Sequence, residues 1–167
     1  MAKPQIATFV LFCAVAAAVL CAFPAPVSAA REIKKGFIVR GRVFCDTCRI
    51  GFETPASTYI SGAKVKVECR SKTTGVKNFE GVTDRTGTYN IQVADEHEHE
   101  LCETVLLSSP DMSCAKLVKG RERARVFLTH NNGLSSDVRF ANAMGFESET
   151  SLASCAKLLK MYEQDEV

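Results

Sequence analysis

The sequence predicts an all-β fold, a small disulfide-linked antiparallel β-barrel or sandwich of about seven strands with a short C-terminal helix. Three observations carry this prediction. Apolar and polar residues alternate along several short runs, turn-forming residues separate these runs, and six cysteines lie within residues 31–167. Alternation with a period of two is typical of a strand that has one buried face and one solvated face.

Residues 1–30 have the pattern of a secretory signal peptide. Lys3 precedes an apolar run of 15 residues, 9–23, and two prolines and the small-residue segment 27–30 follow it. The run is shorter than the roughly 20 residues that a membrane-spanning helix needs, so the pattern favours a signal peptide over an anchor. We therefore expect residues 31–167 to form one soluble domain that is secreted into the extracellular space.

The strands of this domain follow from the alternation and from the turns. Apolar side chains alternate with polar or charged ones over residues 37–45 and again over residues 63–70. The run 89–93 follows the turn 84–88, in which Gly87 is free to adopt a positive φ. Further strands are predicted over residues 101–107, 123–129 and 138–141.

Only the C-terminal segment has helical spacing. Its apolar residues recur at intervals of three and four and would share one helix face: Leu152, Cys155, Leu158, Leu159 and Tyr162. This spacing predicts an amphipathic helix, with Ser148 or Ser151 as its N-cap.

An even number of cysteines in an exported chain predicts three disulfides. The cysteines of the domain are Cys45, Cys48, Cys69, Cys102, Cys114 and Cys155. The C-x-x-C spacing of Cys45 and Cys48 also suits a zinc knuckle or a redox dithiol. Zinc would require a second cysteine or histidine pair, and a redox dithiol would require a following helix. Because the sequence has neither pattern, we expect structural disulfides, whose pairing the spacing alone does not define.

A polar cluster, residues 96–100, contains two of the three histidines. On a strand, His97 and His99 would share a face and could bind a metal ion. No third ligand is evident, and five charged or titratable residues in a row favour an exposed loop. We therefore expect no metal site, and we expect His130 to be a solvated strand end.

The sequence shows no motif for catalysis. It contains no G-x-S-x-G, no H-E-x-x-H and no glycine loop of the kind that binds phosphate. The isolated acids Asp46, Glu53 and Asp84 are expected on turns and surfaces, where charged residues usually lie. We predict that the protein is not an enzyme and has no cofactor. The alternative is a small secreted hydrolase or inhibitor that uses a cleft on the β-sandwich.

One set of basic residues is a candidate binding surface: Lys119, Arg121, Arg123 and Arg125. If these side chains share a face, they could bind an acidic partner or a cell-wall polysaccharide. The formal net charge of the whole chain is only +2, which disfavours non-specific binding to nucleic acid or membranes. We expect a monomer whose partner is an extracellular protein, such as a cell-surface receptor, or a cell-wall component.

The segment GRVFCDTCRIGFETPASTYISGAKVKVEC, residues 41–69, resembles the opening of the Ole e I-like family of pollen proteins. VTDRTGTYNI (residues 82–91), NNGLSSDVRFANAMGF (residues 131–146) and Cys155 extend the resemblance over nearly the whole domain. It implies a secreted plant protein, abundant in pollen and often an allergen, with a fold related to transthyretin-like domains. It also implies a non-enzymatic role in pollen germination and tube growth.

The resemblance implies a disulfide pairing as well: Cys45 with Cys114, Cys48 with Cys155, and Cys69 with Cys102. The sequence departs from the family in two respects. Phe44 stands where the family pattern more often has Tyr, so any role for that hydroxyl is absent. The N-glycan common in the family requires an N-x-S/T sequon, and no asparagine of this sequence lies in one. We therefore expect the chain to lack that glycan.

Overall fold

The computed structural model describes residues 36–164, and the predicted signal peptide, residues 1–30, lies outside the described residues. This region is all-β with one C-terminal helix. Its elements are, in chain order, β1 Gly36–Asp46, β2 Thr58–Tyr59, β3 Lys64–Ser71, β4 Gly75–Val82, β5 Thr88–Ala94, β6 Leu101–Ser108, β7 Lys116–Leu117, β8 Arg123–Val126, β9 Val138–Phe140, β10 Met144–Glu147 and α1 Cys155–Gln164.

The strands form two sheets. In sheet 1 the long strand β1 is central: β5 and β2 pair with it in the antiparallel direction. On the edge of β1 opposite β5, strand β9 pairs in parallel with residues 38–40 of β1. Strand β10 pairs in parallel with residues 43–46. Strand β7 completes sheet 1 by pairing with β10. Sheet 2 is antiparallel, with the order β4-β3-β6-β8.

The two parallel neighbours of β1 are a difference from the predicted antiparallel arrangement. Ile38 pairs with Val138, and Phe44 pairs with Gly145. Partners so distant in sequence leave no local pattern, so alternation predicts that a strand exists but not which way its neighbour runs. The two sheets remain separate layers rather than closing into a barrel, so the sandwich is the observed form of the predicted fold.

Four strands have no clear signal in the sequence. None of the residues of β4, an edge strand of sheet 2, is buried. Only the half-buried Phe79 and Gly81 face the core, so its alternation lacks a continuous apolar face. Strands β2 and β7 have two residues each. Three consecutive residues of β10 are buried, so period-two patterning is absent there as well.

The inner faces of both sheets contribute to one hydrophobic core. Tyr89 pairs with Gly41 across β5 and β1. A Cβ atom at Gly41 would lie 2.2 Å from the Tyr89 hydroxyl oxygen, so the glycine makes room for the tyrosine side chain. Burial raises the pKa of Tyr89 to about 12. The buried residues confirm the predicted inward faces: Phe37, Val39, Val43, Val65, Val67, Tyr89, Ile91, Val93, Ala124, Val126 and Leu128.

The helix α1 begins at Cys155, later than either predicted N-cap would place it. The preceding residue is Ser154, whose carbonyl oxygen accepts a hydrogen bond from the Leu158 backbone. Ser151 instead donates its hydroxyl to the Cys48 carbonyl oxygen at 3.2 Å. Of the helix side chains that the structure describes, that of Cys155 alone is buried, so the helix lies on the surface. No helix within residues 36–164 has the length and hydropathy needed to span a bilayer.

Candidate functional site

The described region contains three disulfides, with the pairing that the family resemblance implies: Cys45–Cys114, Cys48–Cys155 and Cys69–Cys102. The two cysteines of the C-x-x-C motif therefore reach different partners. Cys45 joins β1 to the connection between β6 and β7, whereas Cys48 holds the start of α1. In the oxidised protein, neither sulfur of the motif is a free thiol.

Asp46 lies inside the protein, which corrects the expectation that it would be on the surface. Its side chain is 1% exposed. One carboxylate oxygen accepts the backbone N–H of Cys48 at 3.2 Å, and the other accepts that of Gly51 at 2.7 Å. These bonds compensate for the burial of the charge and shape the loop that presents Cys48 to its partner. Glu53 and Asp84 are exposed, as expected.

The cluster 96–100 also differs from the exposed loop that was predicted. His97 is 3% exposed, whereas His99 is exposed, so the two imidazoles do not share a face. His97 Nδ1 lies 2.7 Å from a carboxylate oxygen of Glu100, and its Nε2 lies 2.9 Å from the Ala94 carbonyl oxygen. The Phe79 ring packs edge-on against the imidazole. The backbone turns here, with a positive φ at Asp95, which turns His97 into the protein.

His130 connects two loops at one end of sheet 1. Its Nδ1 lies 2.5 Å from Glu96 Oε2 and its Nε2 lies 3.2 Å from Asp137 Oδ1. The imidazole also packs against the buried Phe37 ring, with 4.5 Å between the ring centroids. The hydrogen bond to Glu96, with a smaller contribution from Asp137, raises the pKa of His130. The same bond is the main reason that the pKa of Glu96 is lowered to about 2.

We expect the His130 imidazole to titrate above the ordinary histidine value of about 6.5. A raised pKa in the folded state means that this link stabilises the fold fully below about pH 6.5 and loses that effect as the pH rises through the folded value. Glu96 acts in the opposite direction, since its stabilisation is lost as the pH falls towards 2. Nuclear magnetic resonance titration of the His130 ring protons measures the pKa directly.

The Glu96→Gln variant should move the His130 midpoint down, and by more than Asp137→Asn, because Glu96 makes the larger contribution. Both substitutions keep the size of the side chain and change only its charge. An unchanged midpoint in Glu96→Gln would contradict the assignment.

The basic residues predicted as a binding surface do not all lie together. Arg123 and Arg125 share the outer face of sheet 2. Arg123 forms ion pairs with Glu103 at 3.1 Å and Glu68 at 3.4 Å, so partners within the sheet compensate its charge. Arg121 donates from Nε to the Gly51 carbonyl oxygen at 3.3 Å, and Lys119 is exposed in the turn before it.

A second cationic surface lies on the outer face of sheet 1, and we call it the arginine groove. It has a volume of about 260 Å³ and is lined by Arg40, Gly41, Arg42, Thr88, Phe140, Ala141 and Ala143. Arg40 pairs with Asn90 on one side and with Phe140 on the other, so three strands form one row. Phe140 is 74% exposed, which makes its ring an apolar wall open to solvent.

The positive charges of the two guanidinium groups in the groove are not neutralised by ion pairs with described residues. Arg40 donates from Nε to the Asn90 side-chain oxygen at 2.6 Å, and Arg42 stacks on the Tyr59 ring at 3.3 Å from its centroid. Neither arginine forms an ion pair within residues 36–164. The pKa of Asp84 is lowered mainly by the hydrogen bond from Thr86, and Arg42 makes only a minor contribution to that lowering. The groove therefore suits an anionic ligand with an apolar side.

Sequence reasoning missed this groove because its parts come from opposite ends of the chain. The alternation of β1 does place Arg40 and Arg42 on one solvated face. Nothing in the sequence indicates that Phe140 lies beside Arg40, because that contact depends on the parallel pairing of β1 with β9. The burial of His97 was missed for a similar reason, since Phe79 and Glu100 surround it only in the folded chain.

Comparison with known proteins places these features in a family context. A family model described as Pollen protein Ole e 1 like matches residues 35–163. Pollen-specific protein C13 of Zea mays is 45% identical over 132 residues, which are 78% of each chain. Pollen allergen Sal k 5.0101 of Kali turgidum is 44% identical over 134 residues, 77% of this chain and 89% of its own. The names of these relatives describe pollen allergens or pollen-specific proteins rather than enzymes.

A solved structure shows the same fold. The crystal structure of the major plantain pollen allergen Pla l 1 superposes with a TM-score of 0.64 at 28% sequence identity. The match covers 72% of this chain and 100% of that chain. The sandwich described above is therefore an architecture that a pollen allergen is known to adopt.

Proposed function

Because the chain belongs to the Ole e 1-like family of pollen proteins, we propose that it is a secreted, non-enzymatic protein that binds an extracellular partner in pollen. The partner is a cell-surface protein or a cell-wall component, and binding serves pollen germination and tube growth. Three buried disulfides suit an oxidising extracellular environment, which supports secretion.

The observation that carries the proposal is the arginine groove. Arg40 and Arg42 offer two cations without a carboxylate ion-pair partner in the described region, and Phe140 offers an apolar surface beside them. Planar guanidinium groups bind carboxylates in a bidentate manner. The groove accommodates one carboxylate-bearing group, such as an acidic side chain or a uronic acid ring, while the rest of the partner lies along the sheet.

The alternative, a small hydrolase or inhibitor, would need reactive side chains free to act in a cleft. His97 and His130 are instead held by partners within the fold through both ring nitrogens. Their arrangement is that of structural groups, which favours a binding role.

The oxidised domain, residues 31–167, immobilised and exposed to extracts of germinating pollen walls and surfaces, tests the proposal. We expect it to retain an anionic component that elutes with salt, because screening shortens the reach of charges to about 3 Å at 1 M. The double variant Arg40→Glu/Arg42→Glu should retain at least about tenfold less, which corresponds to about 1.4 kcal/mol. Arg125→Glu is the matched control, since Arg125 is an exposed strand arginine outside the groove.

Uronic acid assay and mass spectrometry of the eluate distinguish a wall polysaccharide from a protein partner. Retention of no component by the unaltered domain would overturn the proposed function. Retention that Arg40→Glu/Arg42→Glu and Arg125→Glu leave equally intact would keep a binding function and reject the groove as its site.

A further inference from the structure

Four side chains with metal-binding atoms meet between β3, β6 and the turn that precedes β6. They are Cys69, His97, Glu100 and Cys102, and their ligand atoms all lie within 4.8 Å of one another. Cys69 and Cys102 face each other directly across β3 and β6, with Cα atoms 4.0 Å apart. In the oxidised protein their sulfurs are bonded to each other, so the cluster has no thiolate.

We propose that reduction of the Cys69–Cys102 disulfide creates a zinc site formed by the two cysteine sulfurs, the His97 imidazole and the Glu100 carboxylate. Two thiolates with an imidazole and a carboxylate are a ligand set that Zn²⁺ prefers. Tetrahedral zinc bonds of these kinds place neighbouring ligand atoms about 3.3–3.8 Å apart. The cluster therefore needs its ligand atoms to move by about 1–2 Å, mainly through separation of the two sulfurs.

The histidine is already held as a metal ligand would be. A ligating histidine characteristically donates its second ring N–H to a carbonyl or carboxylate group, which orients the lone pair of the other nitrogen towards the metal. His97 Nε2 lies 2.9 Å from the Ala94 carbonyl oxygen, and this bond leaves Nδ1 directed towards Glu100. The His97 backbone N–H is bonded to the Leu128 carbonyl oxygen at 2.9 Å, which fixes the turn as well.

The Glu100 carboxylate is oriented in the same way. Thr74 and Lys77 both donate to its Oε1, at 3.4 Å and 3.3 Å. Its Oε2 therefore faces His97 Nδ1 at 2.7 Å. The Nδ1–Oε2 pair is therefore a point of the cluster at which a single cation can contact both residues.

The redox step is a two-electron reduction. A dithiol reductant supplies two electrons and two protons, the Cys69–Cys102 S–S bond breaks to give two thiols, and the reductant closes to its own disulfide. Each thiol then loses its proton on binding Zn²⁺, because thiolates are the ligand form. The zinc form therefore belongs to the reduced chain.

Zinc-dependent protection from alkylation tests the site in the whole domain, residues 31–167. The protein is reduced with dithiothreitol, freed of it under argon, and treated with iodoacetamide in the presence of either zinc chloride or a chelator. Peptide mapping then gives the alkylation rate of each cysteine. We expect zinc to slow alkylation of Cys69 and Cys102 at least about tenfold. Cobalt in place of zinc should give the absorption of a tetrahedral thiolate complex.

The variants separate this site from any zinc bound by the reduced C-x-x-C pair. His97→Ala should remove the protection of Cys69 and Cys102 and leave that of Cys45 and Cys48 unchanged. Glu100→Gln tests the same site with a side chain of equal size, and His99→Ala is the matched control because His99 is exposed. Equal protection in His97→Ala, Glu100→Gln and the unaltered protein would overturn the proposal. So would protection that fails to exceed the chelator control.

Discussion

Replacing Cys45 and Cys114 together by alanine is expected to lower the free energy of unfolding by about 4 kcal/mol. The disulfide closes a loop with a sequence separation of 69 residues, and its removal restores that conformational freedom to the unfolded chain. The folded chain regains little freedom, because both cysteines are buried, on β1 and in the β6–β7 connection. Guanidinium denaturation without reductant measures the difference.

The Cys48–Cys155 pair is the internal control for this argument. Its sequence separation is 107 residues, so loop closure alone predicts the larger loss, about 5 kcal/mol. Cys155 is, however, the one buried side chain among the described residues of α1. Without the disulfide the helix can detach in the folded state too, so the double alanine variant should lose less than the Cys45/Cys114 variant. A larger loss would show that α1 is bound by more than its disulfide.

Phe37→Ala is expected to destabilise the protein by about 3–5 kcal/mol. Phe37 is fully buried at the start of β1. Its ring contacts the His130 imidazole, and the Arg139 guanidinium lies 4.7 Å from the ring centroid. Truncation leaves a cavity under both groups. Equilibrium denaturation monitors the loss, and the His130 ring resonances should shift at the same time.

Phe127→Ala is the matched control, because Phe127 alternates outwards just after β8 and is 66% exposed. Its loss should stay within about 0.5 kcal/mol. Comparable losses in the two variants would contradict the assignment of Phe37 to the core and of Phe127 to the surface.

Local patterns account for what the sequence predicts well. The alternation along β1, β3 and β5 identifies which side chains form the core, because burial on one face acts on every second residue. Interactions between distant segments account for the rest. The exposed strand β4 has no continuous apolar face, and the parallel neighbours of β1 are determined by contacts across about a hundred residues.

The candidate sites follow the same rule. The basic residues Arg123 and Arg125 are correctly placed on one solvated face by alternation. The ion pairs of Arg123 with Glu68 and Glu103 depend on the register of β3, β6 and β8, which single-sequence patterns do not contain. His97 is the clearest case, since a run of five titratable residues resembles a solvated loop and yet one imidazole is enclosed by Phe79 and Glu100.

The parallel pairing of β1 also has a consequence for how the chain acquires its structure during synthesis and export. Strand β1 is made first, but one of its edges is completed only by β9 and β10, near the end of the chain. Sheet 2 has shorter-range partners and its own Cys69–Cys102 bond, so it can assemble earlier. Until residues 138–147 emerge, β1 has an unpaired edge that another copy can occupy. Sheet 1 is therefore expected to form last and slowly, as non-local pairings do, and a truncated chain is expected to aggregate through β1.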